Sequence, residues 1–147
     1  MFSKGMTLVL LLCCCATLAC QSYTQGLEQS VTRADEVGAI SALHAIVVGQ
    51  RTYSITNGGS FGTFPQLVKA GVLDARFDSE TPKVKGYILV MAVTSKGAGS
   101  EEDSYTLNAD PEGSGPQAGR HFFVDSSGMI HANPSKPATA TDPPVSQ

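Results

Sequence analysis

The sequence predicts an α+β fold in which one long N-terminal amphipathic helix packs on an antiparallel sheet of three to four strands. Two observations carry this prediction. Apolar residues recur at helical spacing from Val31 to about Ile55, whereas beyond Pro82 they form extended or alternating runs. The apolar side of such a helix must be covered, and one face of the sheet is the expected cover. With 147 residues, 41% of them hydrophobic, the chain suffices for one modest domain, which we place at residues 31–132.

The helix predicted over 31–55 has one broad apolar face. On a helical projection, that face is formed by Ala39, Ile40, Ala42, Leu43, Ile46, Val47 and Tyr53. Asn57 and the two glycines after it tolerate left-handed backbone and are expected to end the helix. A second, short helix is predicted over 64–70, because Thr63 suits the N-cap and Gly71 suits the C-terminal end.

Beyond these helices the period changes to that of strands. Four segments are predicted to be strands: 87–93, 104–109, 120–125 and 129–131. The first is a continuous apolar run, which is typical of a strand buried on both faces or lying centrally in a sheet. The glycine-rich, acidic loops at 95–103 and 110–119 are expected to be exposed. Residues 133–147 contain four prolines and almost nothing to bury, which predicts a disordered or extended tail.

The N-terminal segment resembles a bacterial export signal. Lys4 supplies a positive charge, and a short apolar stretch follows it. A short transmembrane anchor is the alternative interpretation. Residues 16–20, with the sequence ATLAC, resemble a lipobox whose leucine stands one place closer to the cysteine than usual. The resemblance implies that residues 1–19 are removed as a lipoprotein signal peptide, that Cys20 is lipidated, and that residues 20–30 form a polar tether.

Lipid on Cys20 would make a membrane the first partner of this protein. A cysteine is needed at this position because its thiolate is the nucleophile that attacks the lipid donor. Several acyl chains, at about 0.8 kcal/mol per buried CH2, anchor a protein stably. Gln21 follows the cysteine in place of an aspartate, which favours the outer membrane or the cell surface over the inner membrane. The other three cysteines precede Cys20, so no disulfide framework is expected in the domain.

The order of helix, connection and strands resembles the globular domain of type IV pilins and type II secretion pseudopilins. The resemblance rests on DEVGAISAL at 35–43, GQRTY at 49–53, GSFGTFPQL at 59–67, GVLD at 71–74, KGY at 85–87, YTLNADP at 105–111 and GRHFFVDSSGMI at 119–130. In that family an apolar stem follows the cleavage site, whereas here the apolar stretch precedes the predicted cleavage. The resemblance therefore implies a pilin-like head on a lipid anchor. The alternative is a pilin-like protein that keeps its apolar segment as a membrane stem.

Composition argues against several classes of function. The net charge is −3 without a basic cluster, and tryptophan is absent, so a nucleic-acid partner is not expected. His44, His121 and His131 have no G-x-S-x-G motif beside them, and we interpret them as solvated or capping histidines. Neither a paired-cysteine metal motif nor a phosphate-binding loop is present. We therefore expect no catalytic residue, no cofactor and no enzymatic activity.

The expected function is that of a non-enzymatic envelope lipoprotein with a structural or protein-interaction role. Its candidate protein partners are components of a pilus or a secretion system. The alternative is a module that binds a small ligand or calcium through loops 95–103 and 110–119. Oxygen ligands for a cation are available either from Glu101, Glu102 and Asp103 or from Asp110, Glu112 and Asp125. The simpler interpretation is that these carboxylates belong to solvated acidic loops.

Overall fold

In the part of the chain that the structure describes, two α-helices precede the sheet. The computed structural model describes the backbone of residues 4–96, 102–113, 115 and 118–145, and the side chains from Gln29 onwards. Helix α1 is Lys4–Thr56 and includes the whole helix predicted from the sequence. It ends where Gly58 and Gly59 take positive φ angles of 67° and 94°, conformations that other residues adopt only at a cost.

A short helix and a tight turn close one end of the core. Helix α2, Phe64–Lys69, confirms the second predicted helix, and the backbone N–H of Thr63 donates to the Gln66 side chain at 2.8 Å. A 3-10 turn follows at Ala75–Phe77. The rings of Phe64 and Phe77 stack with their centroids 6.2 Å apart, and both are buried.

In the described residues the sheet has five antiparallel strands in sequence order, not three to four. They are β1 (Lys83–Val84), β2 (Tyr87–Thr94), β3 (Ser104–Pro111), β4 (His121–Asp125) and β5 (Ile130–Asn133). The additional strand is β1, which at two residues is too short to show any periodicity. It joins β2 through Lys85 and Gly86, whose φ angles of 50° and 72° are those of a type I′ hairpin turn.

The core lies between α1 and one face of the sheet. The apolar face of α1 from Ala39 to Val47 packs with alternate side chains of the strands, including Leu89, Leu107 and Phe122. Of the two alternatives predicted for β2, burial on both faces is wrong, because Val90 is 49% exposed. The strand does lie between two others, β1 and β3, although β1 pairs with only two of its residues. A run of apolar residues does not by itself distinguish an edge strand from a central one.

The C-terminal segment, expected from the sequence to be disordered or extended, folds back along β5. The N–H of Ala132 donates to the carbonyl of Pro143 at 3.0 Å, and the N–H of Val145 donates to that of Ile130 at 2.8 Å. These bonds place the tail beside β5, where Pro144 forms an isolated antiparallel bridge with His131. Ala138 is buried as the chain crosses the sheet. Tertiary contacts therefore order a segment that has little apolar surface of its own.

Candidate functional site

The lipidation prediction falls outside the side chains that the structure describes. These begin at Gln29, so Cys20, the signal peptide 1–19 and most of the tether 20–30 remain predictions. The backbone of α1 runs without a break from Lys4 through Cys20 and the tether. In the part of the chain whose side chains are described, no helix has a stretch apolar and long enough to cross a bilayer.

The acidic residues considered as calcium ligands are held in separate pairs. Asp110 contacts His121 at 2.5 Å, and Glu112 accepts from Lys83 at 2.6 Å. Asp125 accepts from the N–H of Ser127 at 2.9 Å. Among the described residues, no three histidine, cysteine, aspartate or glutamate side chains come together as a metal site.

The remaining candidate ligands lie at the loop before β3. Asp103 accepts hydrogen bonds from the N–H of Lys96 and from the hydroxyl of Ser60, the latter at 2.8 Å. These two bonds hold the pKa of Asp103 below its ordinary value, because they favour the charged form. Glu102 is exposed, and Glu101 lies outside the described residues. Asp103 therefore ties the β2–β3 loop to the connection after α1.

The three histidines have structural surroundings. His44 lies half-buried on α1. The Nδ1 atom of His121 faces Asp110, and that of His131 lies 2.6 Å from the carbonyl oxygen of Asp142. The ring of His131 also packs against that of Phe123, with centroids 6.3 Å apart. His121 and His131 therefore join strand to strand and strand to tail.

Asp142 is the centre of the hydrogen bonds that hold the tail. Its carboxylate accepts from the side chain of Asn133 at 2.7 Å and from the backbone N–H and the hydroxyl of Thr139 at 2.7 and 2.9 Å. These donors, Asn133 first, hold the pKa of Asp142 below its ordinary value. The ionised carboxylate thus stabilises the folded-back tail.

A half-buried ion pair joins α1 to the start of β4. The carboxylate of Glu36 accepts from the backbone N–H of Arg120 at 2.8 Å and from its guanidinium at 2.9 and 3.0 Å. The hydroxyl of Tyr87 donates to the carbonyl of Arg120 at 3.0 Å. Burial, together with the nearby Glu36 charge, raises the pKa of Tyr87 well above its ordinary value.

Two of the grooves on the described surface lie beside β1 and β2. The first, of about 350 Å³, is lined by α1 residues and by Arg76, Lys83 and Lys85. Arg76 is paired with Asp74 at 3.1 Å, and Lys83 is paired with Glu112 at 2.6 Å. Two of the three positive charges that line this groove are therefore balanced by carboxylates. The second is lined by Thr63, Phe64, Pro65, Glu80, Thr81, Val90 and Met91. Its volume is about 360 Å³, and it lies between the start of α2 and β2.

Three features that organise this part of the fold were not predicted from the sequence. The first is Gln50, a fully buried side chain that binds the backbone of Gly62. The second is the role of Asp142. The third is the short strand β1, which among the described residues leaves most of β2 without a paired strand on one side. The Lys85–Gly86 pair was the available signal for that hairpin, since glycine is common at the second position of such turns.

Comparison with known proteins adds no relative. The chain matches no protein-family model, no curated protein sequence and no solved structure.

Proposed function

We propose that this protein is a non-enzymatic envelope lipoprotein, anchored to the outer membrane or cell surface by lipid on Cys20. Its pilin-like domain would have a structural or protein-interaction role together with pilus or secretion components. The α+β arrangement of α1 and the sheet is compatible with such a domain. A fold by itself does not define a function, so the proposal also draws on the contacts inside the fold.

The observation that carries the proposal is a contact between two of the sequence pieces on which the pilin resemblance rests. Gln50, in the piece 49–53, donates to the carbonyl of Gly62 at 2.7 Å and accepts from its N–H at 3.0 Å. A Cβ atom at Gly62 would lie 3.1 Å from the ring of Tyr53. A side chain at position 62 would therefore crowd Tyr53, which belongs to the same piece as Gln50. Two segments that carry the pilin resemblance are thus hydrogen-bonded to each other.

The surroundings of the polar side chains support an interaction role over catalysis. His121 is engaged with Asp110, and Glu36 with Arg120. Each pair joins two elements of the fold, which accounts for these residues without a reaction. The surface that remains for function consists of grooves, loops and strand edges, the features that proteins use to bind other chains.

Metabolic labelling with a palmitate analogue tests the lipid anchor. Wild type and Cys15→Ala should be labelled, whereas Cys20→Ala should lose the label, because only the cysteine after the signal becomes acylated. Cys15→Ala is the matched control, since it removes a cysteine from the same segment. Equal labelling of the two variants, or no labelling of wild type, would overturn the lipoprotein proposal.

One observation favours the alternative in which the apolar segment is kept as a membrane stem. Helix α1 is continuous from Lys4 to Thr56, 53 residues or about 80 Å at 1.5 Å per residue. A stem joined to a head requires such a helix. Intact-mass measurement of the mature protein separates the two cases: a chain starting at an acylated Cys20 supports the lipoprotein, whereas a chain retaining residues 7–19 supports the stem.

A further inference from the structure

The geometry points to the open edge of β2, beside the start of α2, as a site where an extended peptide of a partner protein binds as an additional strand. This inference deepens the proposed interaction role and rests on it, but it does not depend on the lipid anchor. The occupant is an extended segment with apolar side chains at alternate positions and a net positive charge. Four observations lead to it.

The first observation is that β1 covers only the beginning of this edge. Lys83 pairs with Ile88 and Val84 with Tyr87, and the N–H of Leu89 donates to the carbonyl of Pro82 at 2.9 Å. Beyond this last bond, the described part of the chain provides no backbone partner on the outer side of β2. Most of the strand is therefore paired on one side only.

The second observation concerns the backbone groups that remain. In an antiparallel sheet, alternate residues direct their N–H and C=O groups to the same side. Leu89 uses that side to bond Pro82, so Met91 and Val93 present their N–H and C=O groups on the same edge. A row of such groups is a template for another strand. An extended peptide is the ligand whose own backbone matches it.

The third observation is the groove beside this edge. Its lining combines Val90 and Met91 of β2 with Glu80 and Thr81, which precede β1, and with the start of α2 at Phe64. The groove therefore lies beside the part of β2 that β1 would cover if β1 began before Pro82. Its volume of about 360 Å³ accommodates side chains projecting from a bound strand.

The fourth observation is that the two edges of the sheet are treated differently. At the other edge, the tail covers β5 through the bonds between Ala132 and Pro143 and between Val145 and Ile130. Proteins usually protect an exposed edge with charged residues, proline or a covering segment. β2 carries no charged residue from Tyr87 to Thr94. An uncovered, uncharged edge of this length is suited to pairing.

Charge decides between a partner peptide and a second copy of this chain. Glu80 lines the groove, and the whole chain has a net charge of −3. A cationic peptide complements this charge, whereas a second copy brings the same negative charge. The start of α2 and residues 80–81 also flank the edge, which leaves more room for a single strand than for another sheet edge with the same flanking segments.

A synthetic peptide tests the inference on the full-length chain. The probe is a nonapeptide of alternating valine and threonine with a lysine at each end, carrying a fluorophore at its N-terminus and an amide at its C-terminus. We expect fluorescence anisotropy to show saturable binding with a Kd below about 1 mM. Bound peptide should slow amide exchange at Met91 and Val93 at least about tenfold. A peptide with proline at its central position should bind weakly, since proline lacks the N–H that pairing requires.

Two valine-to-lysine variants locate the site. Val90→Lys places a positive charge in the groove and should weaken binding of the peptide at least about tenfold. Val48→Lys is the matched control, because Val48 is 62% exposed on α1 and does not line the groove. Both positions are exposed enough for the fold to tolerate lysine, and circular dichroism checks that it does.

Three results would overturn the inference. They are absence of binding at about 1 mM, equal binding by wild type and Val90→Lys, and unchanged amide exchange at Met91 and Val93 in the presence of peptide. Slowed exchange at these amides that appears without peptide and increases with protein concentration would assign the edge to a second copy instead. Palmitate labelling is independent of all these outcomes, so failure of the peptide site is distinguishable from failure of the lipoprotein proposal.

Discussion

Gln50 offers the sharpest test of how this domain is held together. Its side chain is completely buried between α1 and the connection that follows it. The amide donates to the carbonyl of Gly62 at 2.7 Å and accepts from its N–H at 3.0 Å, and it also contacts the sulfur of Met91 at 3.2 Å. One side chain thus satisfies both backbone groups of Gly62 and fixes the connection against α1.

The cost of removing this side chain follows from these bonds. In Gln50→Ala a buried N–H and a buried C=O both lose their partner, and each unsatisfied group costs about 1–3 kcal/mol. Some of this loss is recovered if water enters the space left by the side chain. We therefore expect the free energy of unfolding to fall by about 3 kcal/mol. At several degrees per kcal/mol for a domain of this size, Tm should fall by about 10 °C.

Urea unfolding followed by circular dichroism measures this change. Gln50→Met keeps a similar volume without the hydrogen bonds, so a loss of similar size in this variant assigns the effect to the bonds and not to a cavity. Gln29→Ala is the matched control, because it makes the same replacement at an exposed position of the same helix. Stabilities of both Gln50 variants within about 0.5 kcal/mol of wild type would refute the reasoning.

Three further predictions concern the ionisable groups. Glu36→Gln should destabilise the domain by about 1 kcal/mol and accelerate amide exchange at Arg120, because the half-buried ion pair loses its charge; unchanged exchange would show that the pair does not hold this segment. The pKa of Asp142 is lowered in the folded state, so the stabilisation by its carboxylate is present at neutral pH and is lost as pH falls through the folded-state pKa. NMR of the Val145 amide should therefore show the tail loosening in acid. In Asp142→Asn the same loosening should be seen at neutral pH. Burial raises the pKa of Tyr105 to about 12. The buried neutral tyrosine therefore stabilises the fold fully below about pH 10, and this stabilisation should be lost as pH rises towards 12. Absorbance titration at 295 nm should show a late transition that Tyr105→Phe lacks.

The elements of this fold were predictable because their signals are local. The apolar stripe of α1 and the alternation in β3 each follow from the spacing of residues within one segment. Helix α2 was predictable for the same reason, from its N-cap threonine and the glycine beyond its end. Strand β1 was not predictable in this way, since two residues do not define a period.

The tail and the candidate docking edge depended on contacts between distant residues. Asp142 belongs to a segment whose composition predicts disorder, yet it is bonded to Asn133 and Thr139 in the folded chain. Similarly, the apolar run of β2 is the same whether the strand lies at the centre or at the edge. Whether the edge of β2 is open depends on how far β1 extends along it. The bond between Pro82 and Leu89 is the last that the segment around β1 makes to that edge.

By itself, then, the sequence determined the α+β class, the position of the long helix and the main strands, and the cysteine at which a lipid is expected. Only the tertiary structure decided that Gln50 binds Gly62 twelve residues away and that Glu36 meets Arg120 across 84 residues. It also decided that, among the described residues, the tail covers one edge of the sheet while most of β2 stays unpaired at the other. The physical reason is that helix and strand periods arise from neighbouring residues, whereas burial, ion pairing and edge coverage arise only when separate segments meet.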